Sequence, residues 1–103
     1  MGYKIIETRL ASEDLDRILE YIAVTLENPL AAASFADNVA SCYDRLEQTP
    51  LMYEACRDMR LRAMGYRKAV IQQYILIYKV DERMKVVSIL RFFHGSQQYT
   101  RFL

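Results

Sequence analysis

The chain has 103 residues and a mass of 12.1 kDa, which is the size of one small domain. Hydrophobic residues make up 52% and charged residues 26%, which excludes an intrinsically disordered chain, since such chains combine low hydrophobicity with high net charge. No apolar run is long enough to cross a bilayer, and the N-terminus acquires charge too early for a secretion signal. We therefore expect a single cytoplasmic domain over residues 1–103 with no membrane contact.

Charge is distributed unevenly along the chain. Residues 1–50 carry nine acidic and four basic side chains, whereas residues 51–103 carry four acidic and ten basic ones, so a net charge of +1 hides two oppositely charged halves. A dense basic cluster consists of Arg57, Arg60, Arg62, Arg67 and Lys68. The cluster predicts a surface for an anion, either nucleic acid or an acidic protein, unless the two halves neutralise each other in the folded domain.

The chain has few residues that bind metals or form redox centres. Cys42 and Cys56 are its only cysteines and His94 is its only histidine. A zinc site needs about three or four ligands at suitable spacing, so the sequence predicts neither a metal nor another cofactor. Cys42 falls on the apolar stripe of a predicted helix, which indicates a buried thiol.

The first half of the chain predicts a strand and a first helix. Residues 3–9 are β-branched at their centre, as is typical of a strand. The helix is expected to begin at Ser12 as its N-cap and to end near Asn28, because the residue before a proline disfavours helical dihedrals. Its apolar stripe at i, i+3, i+4, i+7 and i+11 consists of Leu15, Ile18, Leu19, Ile22 and Leu26.

A second helix is predicted between Asn28 and Thr49. Asn28 can cap this helix, and Pro29 suits its first position, where no backbone N–H is required. Its apolar stripe consists of Phe35, Val39, Cys42, Tyr43 and Leu46. The short connection makes the two helices an antiparallel hairpin, whose apolar stripes must pack on another apolar layer.

Three strands are predicted to follow an irregular or loosely helical segment over residues 51–64. Residues 66–71, 74–80 and 86–93 are rich in aromatic and β-branched side chains, and their short connections force antiparallel pairing. The order β-α-α-β-β-β predicts an α+β domain with the helix hairpin on one face of the sheet. The expected core residues are Leu15, Ile18, Ile22, Phe35, Val39, Leu46, Val70, Leu76 and Ile89.

Motifs along nearly the whole chain resemble one protein family. They are Y-K-I from Tyr3, D-L-x-x-I-x-x-Y-I from Asp14, N-P-x-A-A from Asn28, G-Y-R from Gly65, Y-I-L-I-Y-K-V from Tyr74, and I-L-R-F-F-H-G from Ile89, followed by Tyr99. In this order and spacing they resemble the RelE/ParE superfamily of type II toxin–antitoxin toxins. The resemblance implies a growth-inhibiting toxin, of the kind linked to plasmid stabilization, that a cognate antitoxin neutralises. Together with the basic second half of the chain, the resemblance implies that this antitoxin is acidic and partly disordered before binding.

The resemblance leaves the activity of the toxin open. ParE-like members poison DNA gyrase, RelE-like members cut messenger RNA, usually in the ribosome and without a metal, and an inactive member would bind only its antitoxin. RelE-like nucleases usually carry a basic residue in the tail, where residues 96–98 are uncharged, and lysines where the cluster before the sheet holds only arginines. We therefore expect a gyrase-blocking toxin, with a metal-independent mRNA endoribonuclease as the alternative.

Four residues form the expected centre of activity. RNA cleavage through the 2′-hydroxyl needs a base, an acid and cations that stabilise the charged phosphorane. Arg67 and Arg91 supply guanidinium groups suited to phosphate, His94 can act as an acid or a base, and Tyr99 is a further candidate. The residues expected to bind antitoxin or nucleic acid are Arg57, Arg60, Arg62 and Lys68.

Strand alternation separates two of these candidates. In a regular last strand, one face carries Val87, Ile89, Arg91 and Phe93, whereas His94 points to the other face. Arg91 and His94 can therefore converge only if a β-bulge or the turn at Gly95 bends the strand.

Overall fold

The structure of the protein, a computed structural model, describes residues 2–103. Its elements are β1 (Lys4–Glu7), α1 (Arg9–Glu20), a π-helical segment (Tyr21–Thr25), α2 (Pro29–Gln48), α3 (Met59–Ala63), β2 (Tyr66–Ile71), β3 (Tyr74–Asp81), β4 (Val86–His94) and a 3₁₀ turn (Tyr99–Phe102). The sheet has the order β1-β4-β3-β2, with β1 parallel to β4 and the other neighbours antiparallel. The predicted α+β architecture is confirmed.

Helix α1 begins earlier than the sequence predicts and ends in an irregular turn. Thr8 is its N-cap, and the Thr8 side chain accepts a backbone N–H of the first turn at 3.1 Å, so Ser12 lies inside the helix. The last part of the predicted helix is instead the π-helical segment, and Glu27 follows it with a φ of 50°. Asn28 caps α2 as predicted, since its Oδ1 accepts a backbone N–H at 3.1 Å.

The main core lies between the helix hairpin and one face of the sheet. The expected core residues that are buried are Ile22, Phe35, Val39, Leu46, Leu76 and Ile89. Leu15 and Ile18 are only partly buried at the margin of this core. Val70 is wrong as a core residue, since it is 63% exposed. It points away from the helices because its neighbours Ala69 and Ile71 are the β2 residues that join the main core.

A second, smaller layer covers the other face of the sheet. The segment before β2, including α3, and the C-terminal turn pack there around the buried residues Cys56, Leu61, Ile75, Ile77 and Phe93. Arg60 of α3 links this helix to the C-terminal turn, because its guanidinium donates to the main-chain oxygens of Leu103 at 2.6 Å and Thr100 at 2.9 Å. The central strand β3 is therefore covered on both faces.

A β-bulge in β4 changes which residues share a face. Leu90 has no partner in β3, because the pairing passes from Ile89 to Arg91 across consecutive β3 residues. Beyond the bulge, Phe92 joins the main core and Phe93 joins the second layer. The expectation of a common face for Val87, Ile89, Arg91 and Phe93 is wrong, because the bulge shifts the alternation by one residue.

Candidate functional site

The carboxylate of Asp14 holds Arg91 in a bidentate ion pair. Asp14 is 3% exposed, and its Oδ2 and Oδ1 accept from Arg91 Nε at 2.7 Å and Nη2 at 3.1 Å. Asp14 also accepts the backbone N–H of Phe92 at 3.0 Å and a weaker bond from Arg17 at 3.3 Å. Hydrogen bonding to Asp14 raises the pKa of Arg91 above its usual value, although burial opposes the shift. The guanidinium is therefore charged and already paired.

Asp14 and Thr8 form hydrogen bonds with backbone groups at the outer edge of β4 that β1 is too short to pair. Thr8 Oγ1 donates to the carbonyl of Leu90 at 2.9 Å, and Asp14 accepts the backbone N–H of Phe92 further along the strand. These two side chains continue the hydrogen bonding that a longer β1 would supply. The Arg91 guanidinium consequently lies at this edge, next to α1.

Three of the candidate residues lie along the stacked rings of Phe93 and Tyr99, which belong to the layer opposite the helices. The guanidinium carbon of Arg91 lies 4.9 Å from the centre of the Phe93 ring. The rings of Phe93 and Tyr99 stack with their centres 6.0 Å apart, and Lys68 Nζ lies 5.9 Å from the centre of the Tyr99 ring. Burial raises the pKa of Tyr99 above its usual value, so its hydroxyl stays protonated. We call Arg91, Phe93, Tyr99 and Lys68 the aromatic row.

Arg67 and His94 lie outside the aromatic row. Arg67 is on the helix-facing side of β2, and its Nη1 donates to the carbonyl of Tyr53 at 2.6 Å. His94 packs edge-on against Tyr74, with the ring centres 5.3 Å apart. Its Nδ1 accepts the backbone N–H of Ser96 at 3.1 Å, which places the proton of the neutral ring on Nε2. The structure does not bring Arg67 and His94 together with the row.

The residues expected to bind antitoxin or nucleic acid differ in their availability. Arg57 and Arg62 are exposed and make no ion pair within residues 2–103. Arg60 is engaged by the C-terminal turn, and Lys68 lies over Tyr99. Arg57 and Arg62 are therefore the members of this set that an acidic partner can contact without displacing a structural bond.

The described part of the chain contains no group of three or more His, Cys, Asp or Glu side chains that could hold a metal ion. Cys42 and Cys56 are both buried and unpaired, and burial raises the pKa of both thiols, as is typical of inert structural cysteines. Over residues 2–103, no helix has the length and apolar character needed to span a membrane.

Asp14 begins the motif of the first helix, but the sequence predicts no role for it in the site. It precedes Ile18 by four positions and Ile22 by eight, so it shares the apolar face of α1. A carboxylate on such a face must find a partner inside the domain, because burying an unpaired charge is costly. This position in the stripe was the available signal for the pair with Arg91.

Comparisons with known proteins identify related toxins. Residues 5–99 match the family model described as "ParE toxin of type II toxin-antitoxin system, parDE". A comparison with curated proteins gives no match.

Similar solved structures come from bacteria and an archaeon. A chain of the chromosomal ParDE toxin–antitoxin system from P. aeruginosa aligns with a TM-score of 0.70 at 21% identity, over 89% of this chain and 95% of that chain. A chain of the RelBE2 toxin–antitoxin complex from Mycobacterium tuberculosis aligns at 0.65 and 25% identity, over 91% and 99%. A chain of the archaeal RelE–RelB complex from Pyrococcus horikoshii aligns at 0.63 and 15% identity, over 94% and 99%. Since the family match covers nearly the whole sequence and the fold agrees, the chain belongs to the ParE toxin family of type II toxin–antitoxin systems, within the RelE/ParE superfamily.

Proposed function

We propose that this toxin acts in the cytoplasm by blocking DNA gyrase and that a cognate antitoxin neutralises it. The main support for gyrase as the target is that Arg91 is already bound within the domain. Its guanidinium is bound at two nitrogens by the buried carboxylate of Asp14, and its side chain is only 21% exposed. A phosphate group would have to compete with that carboxylate for the same nitrogens.

The separation of the other candidate groups supports the same choice. Metal-independent RNA cleavage needs an acid and a base on opposite sides of one phosphate, with cations beside it. His94 lies on the helix-facing side of β4, whereas Tyr99 and Lys68 lie on the other side of the sheet. Arg67 is held by the carbonyl of Tyr53. A toxin that blocks a protein target does not need these groups to converge.

The aromatic row is the observation that favours the ribonuclease as the second candidate. Lys68 lies over the ring of Tyr99, that ring stacks on Phe93, and Arg91 lies over the Phe93 ring. A cation and a phenol next to stacked rings are groups that RNA-binding surfaces use. In this alternative, Tyr99 would protonate the leaving oxygen and Lys68 would stabilise the phosphorane.

Induction of the toxin in a bacterium distinguishes the alternatives. Blocked gyrase produces a DNA-damage response and filamentous cells, whereas a ribonuclease stops translation at once and leaves cleaved messages. The variant Tyr99→Phe keeps the stacking ring and removes only the hydroxyl, so a gyrase-directed toxin keeps its toxicity and a nuclease that uses Tyr99 loses it. Growth that continues unchanged at full toxin levels would support the inactive alternative.

The antitoxin is proposed to approach the basic side of the domain with an acidic segment. Arg57 is exposed just before α3 and Arg62 is exposed on it, and two of the structural relatives come from toxin–antitoxin complexes. Charge would mainly speed the encounter, whereas apolar burial would determine the lifetime of the complex.

A further inference from the structure

A cavity of about 630 Å³ opens between the helix hairpin and the end of the sheet where the β2–β3 turn meets the end of β4. Its apolar lining includes Ile18, Ile22, Leu26 and Phe92. This volume lies within the range of about 300–1,000 Å³ that is typical of small-molecule sites. The rings of the aromatic row lie on the other side of the sheet, and the cavity adjoins the row only through Asp14, whose carboxylate binds Arg91.

Three irregular backbone features surround this cavity. The π-helical segment supplies one wall, and Gln72 in the β2–β3 turn has a φ of 55° although it is not glycine. The third feature is a close backbone contact in which Gly95 N–H donates to the carbonyl of Gln73 at 2.7 Å. A Cβ at Gly95 would lie 3.1 Å from that carbonyl oxygen, so the turn favours glycine. π-helical turns and positive φ angles are energetically unfavourable and cluster at functional sites.

Two polar side chains at the rim, Gln97 and Asn28, accept a backbone hydrogen bond and leave their amide nitrogens as donors. Gln97 Oε1 accepts the backbone N–H of His94 at 2.8 Å, and Asn28 Oδ1 accepts the N–H that it caps at 3.1 Å. The amide nitrogens of Gln97 and Asn28 make no hydrogen bond to residues 2–103. His94 Nδ1 accepts from Ser96, so its Nε2–H is also left as a donor. The rim therefore presents at least three unpaired N–H groups.

The described residues that line the cavity include no carboxylate that is free to accept hydrogen bonds from these donors. Asp14 is the only acidic side chain among the described lining residues, and Arg91, Phe92 and Arg17 already occupy its oxygens. Arg17 adds a positive charge at the mouth, where its side chain is 71% exposed. A ligand that satisfies this rim must bring its own acceptor oxygens.

We propose that this cavity binds a small amphipathic oxyanion, with an apolar body against the apolar lining and one carboxylate or phosphate group at the rim. The apolar body would cover Ile22 and Phe92, and the oxyanion would accept from the amides of Gln97 and Asn28 and from His94 Nε2–H. The site does not depend on which cellular target the toxin has, and it lies outside the surface proposed for the antitoxin.

The test is a titration of the isotope-labelled full chain, followed by backbone amide NMR shifts. Phenylpropionate and benzyl phosphate probe the two possible head groups, and phenylpropanol is the uncharged control with the same body. We expect shifts at residues that line the cavity and an affinity for at least one anion about tenfold or more above that for the alcohol, or about 1.4 kcal/mol. Equal binding of the alcohol, or no cavity shift with either anion, would overturn the proposal.

Near-isosteric variants test the donors directly. Gln97→Glu keeps an oxygen for the His94 N–H but replaces the unpaired amide nitrogen with a charged oxygen, so anion affinity should fall about tenfold or more. Gln98→Glu makes the same charge change on an exposed neighbour that does not line the cavity and should leave affinity nearly unchanged. Asn28→Asp keeps the helix cap and should also weaken binding, which provides a second variant if Gln97→Glu does not fold. Unchanged affinity in a folded Gln97→Glu or Asn28→Asp variant would refute the assignment.

Discussion

Replacement of Asp14 by alanine should destabilise the domain strongly, because four N–H donors lose their acceptor at once. The buried backbone N–H of Phe92 would be left unsatisfied, at a cost of about 1–3 kcal/mol. Arg91 would lose its counter-charge, and breaking a fully buried pair costs about 3–5 kcal/mol. The Arg91 side chain is 21% exposed, so water compensates part of that loss. We expect Asp14→Ala to lower the free energy of unfolding by about 2–4 kcal/mol.

Urea unfolding followed by circular dichroism measures this loss as a lower midpoint at an unchanged m-value. In a domain of this size the melting temperature should fall by about 10–20 °C. Arg17→Gln is the matched control, because its contact with Asp14 is 3.3 Å long and its side chain is 71% exposed, so it should cost under about 0.5 kcal/mol.

A second variant separates the charge of Arg91 from the rest of the effect. Asp14→Ala combined with Arg91→Met should be less destabilising than the two single costs added, because no uncompensated cation remains. A loss below about 1 kcal/mol for Asp14→Ala, or strictly additive single costs, would refute the claim that Arg91 is anchored by this carboxylate.

Three further predictions follow from the core, the tyrosines and the charged surface. Phe35→Ala should cost about 3–5 kcal/mol in urea unfolding, because Phe35 is fully buried and its ring lies 5.0 Å from that of Tyr74; a cost below about 1 kcal/mol would contradict the packing. Burial raises the pKa of Tyr78 to about 12 from its usual value of 10, so the unfolded chain releases this proton first and stability should fall as pH rises from 10 to 12. The decline should be shallower in Tyr78→Phe, and equal slopes would contradict this assignment. Arg57→Glu with Arg62→Glu should slow association with the antitoxin at low salt more than Arg83→Glu does, whereas equal rates would place the acidic segment elsewhere.

The sequence was sufficient for the parts of the fold that depend on local pattern. Residues 66–71 form β2 with the predicted bounds, and Asn28 caps α2 as expected, because alternation and capping are encoded by neighbouring residues. The predicted start of α1 at Ser12 is wrong, although Thr8 and Ser12 are both suitable N-cap residues. Thr8 is the cap because it also reaches the edge of β4, where it donates to the carbonyl of Leu90.

The candidate site was less predictable because it depends on long-range contacts. The bulge at Leu90 follows from the pairing of β4 with β3 and decides that Phe92 and Phe93 face different layers. The pair between Asp14 and Arg91 joins residues far apart in the chain. The position of Asp14 on the apolar face of α1 indicates that this carboxylate needs a partner, but it does not identify Arg91 as that partner. The motifs single out Arg91 as a candidate residue, whereas its ion pair with Asp14 depends on the packing of α1 against β4.

Gyrase activity in the presence of the purified toxin distinguishes a gyrase-blocking toxin from a ribonuclease. Relaxed plasmid, gyrase and ATP are incubated with toxin alone or with toxin and its cognate antitoxin, and supercoiling is followed on a gel. In parallel, a translation extract is treated with the same toxin, and its messages are examined for cleavage. We expect loss of supercoiling, recovery when the antitoxin is added, and intact messages. Normal supercoiling together with cleaved ribosome-bound messages would contradict it.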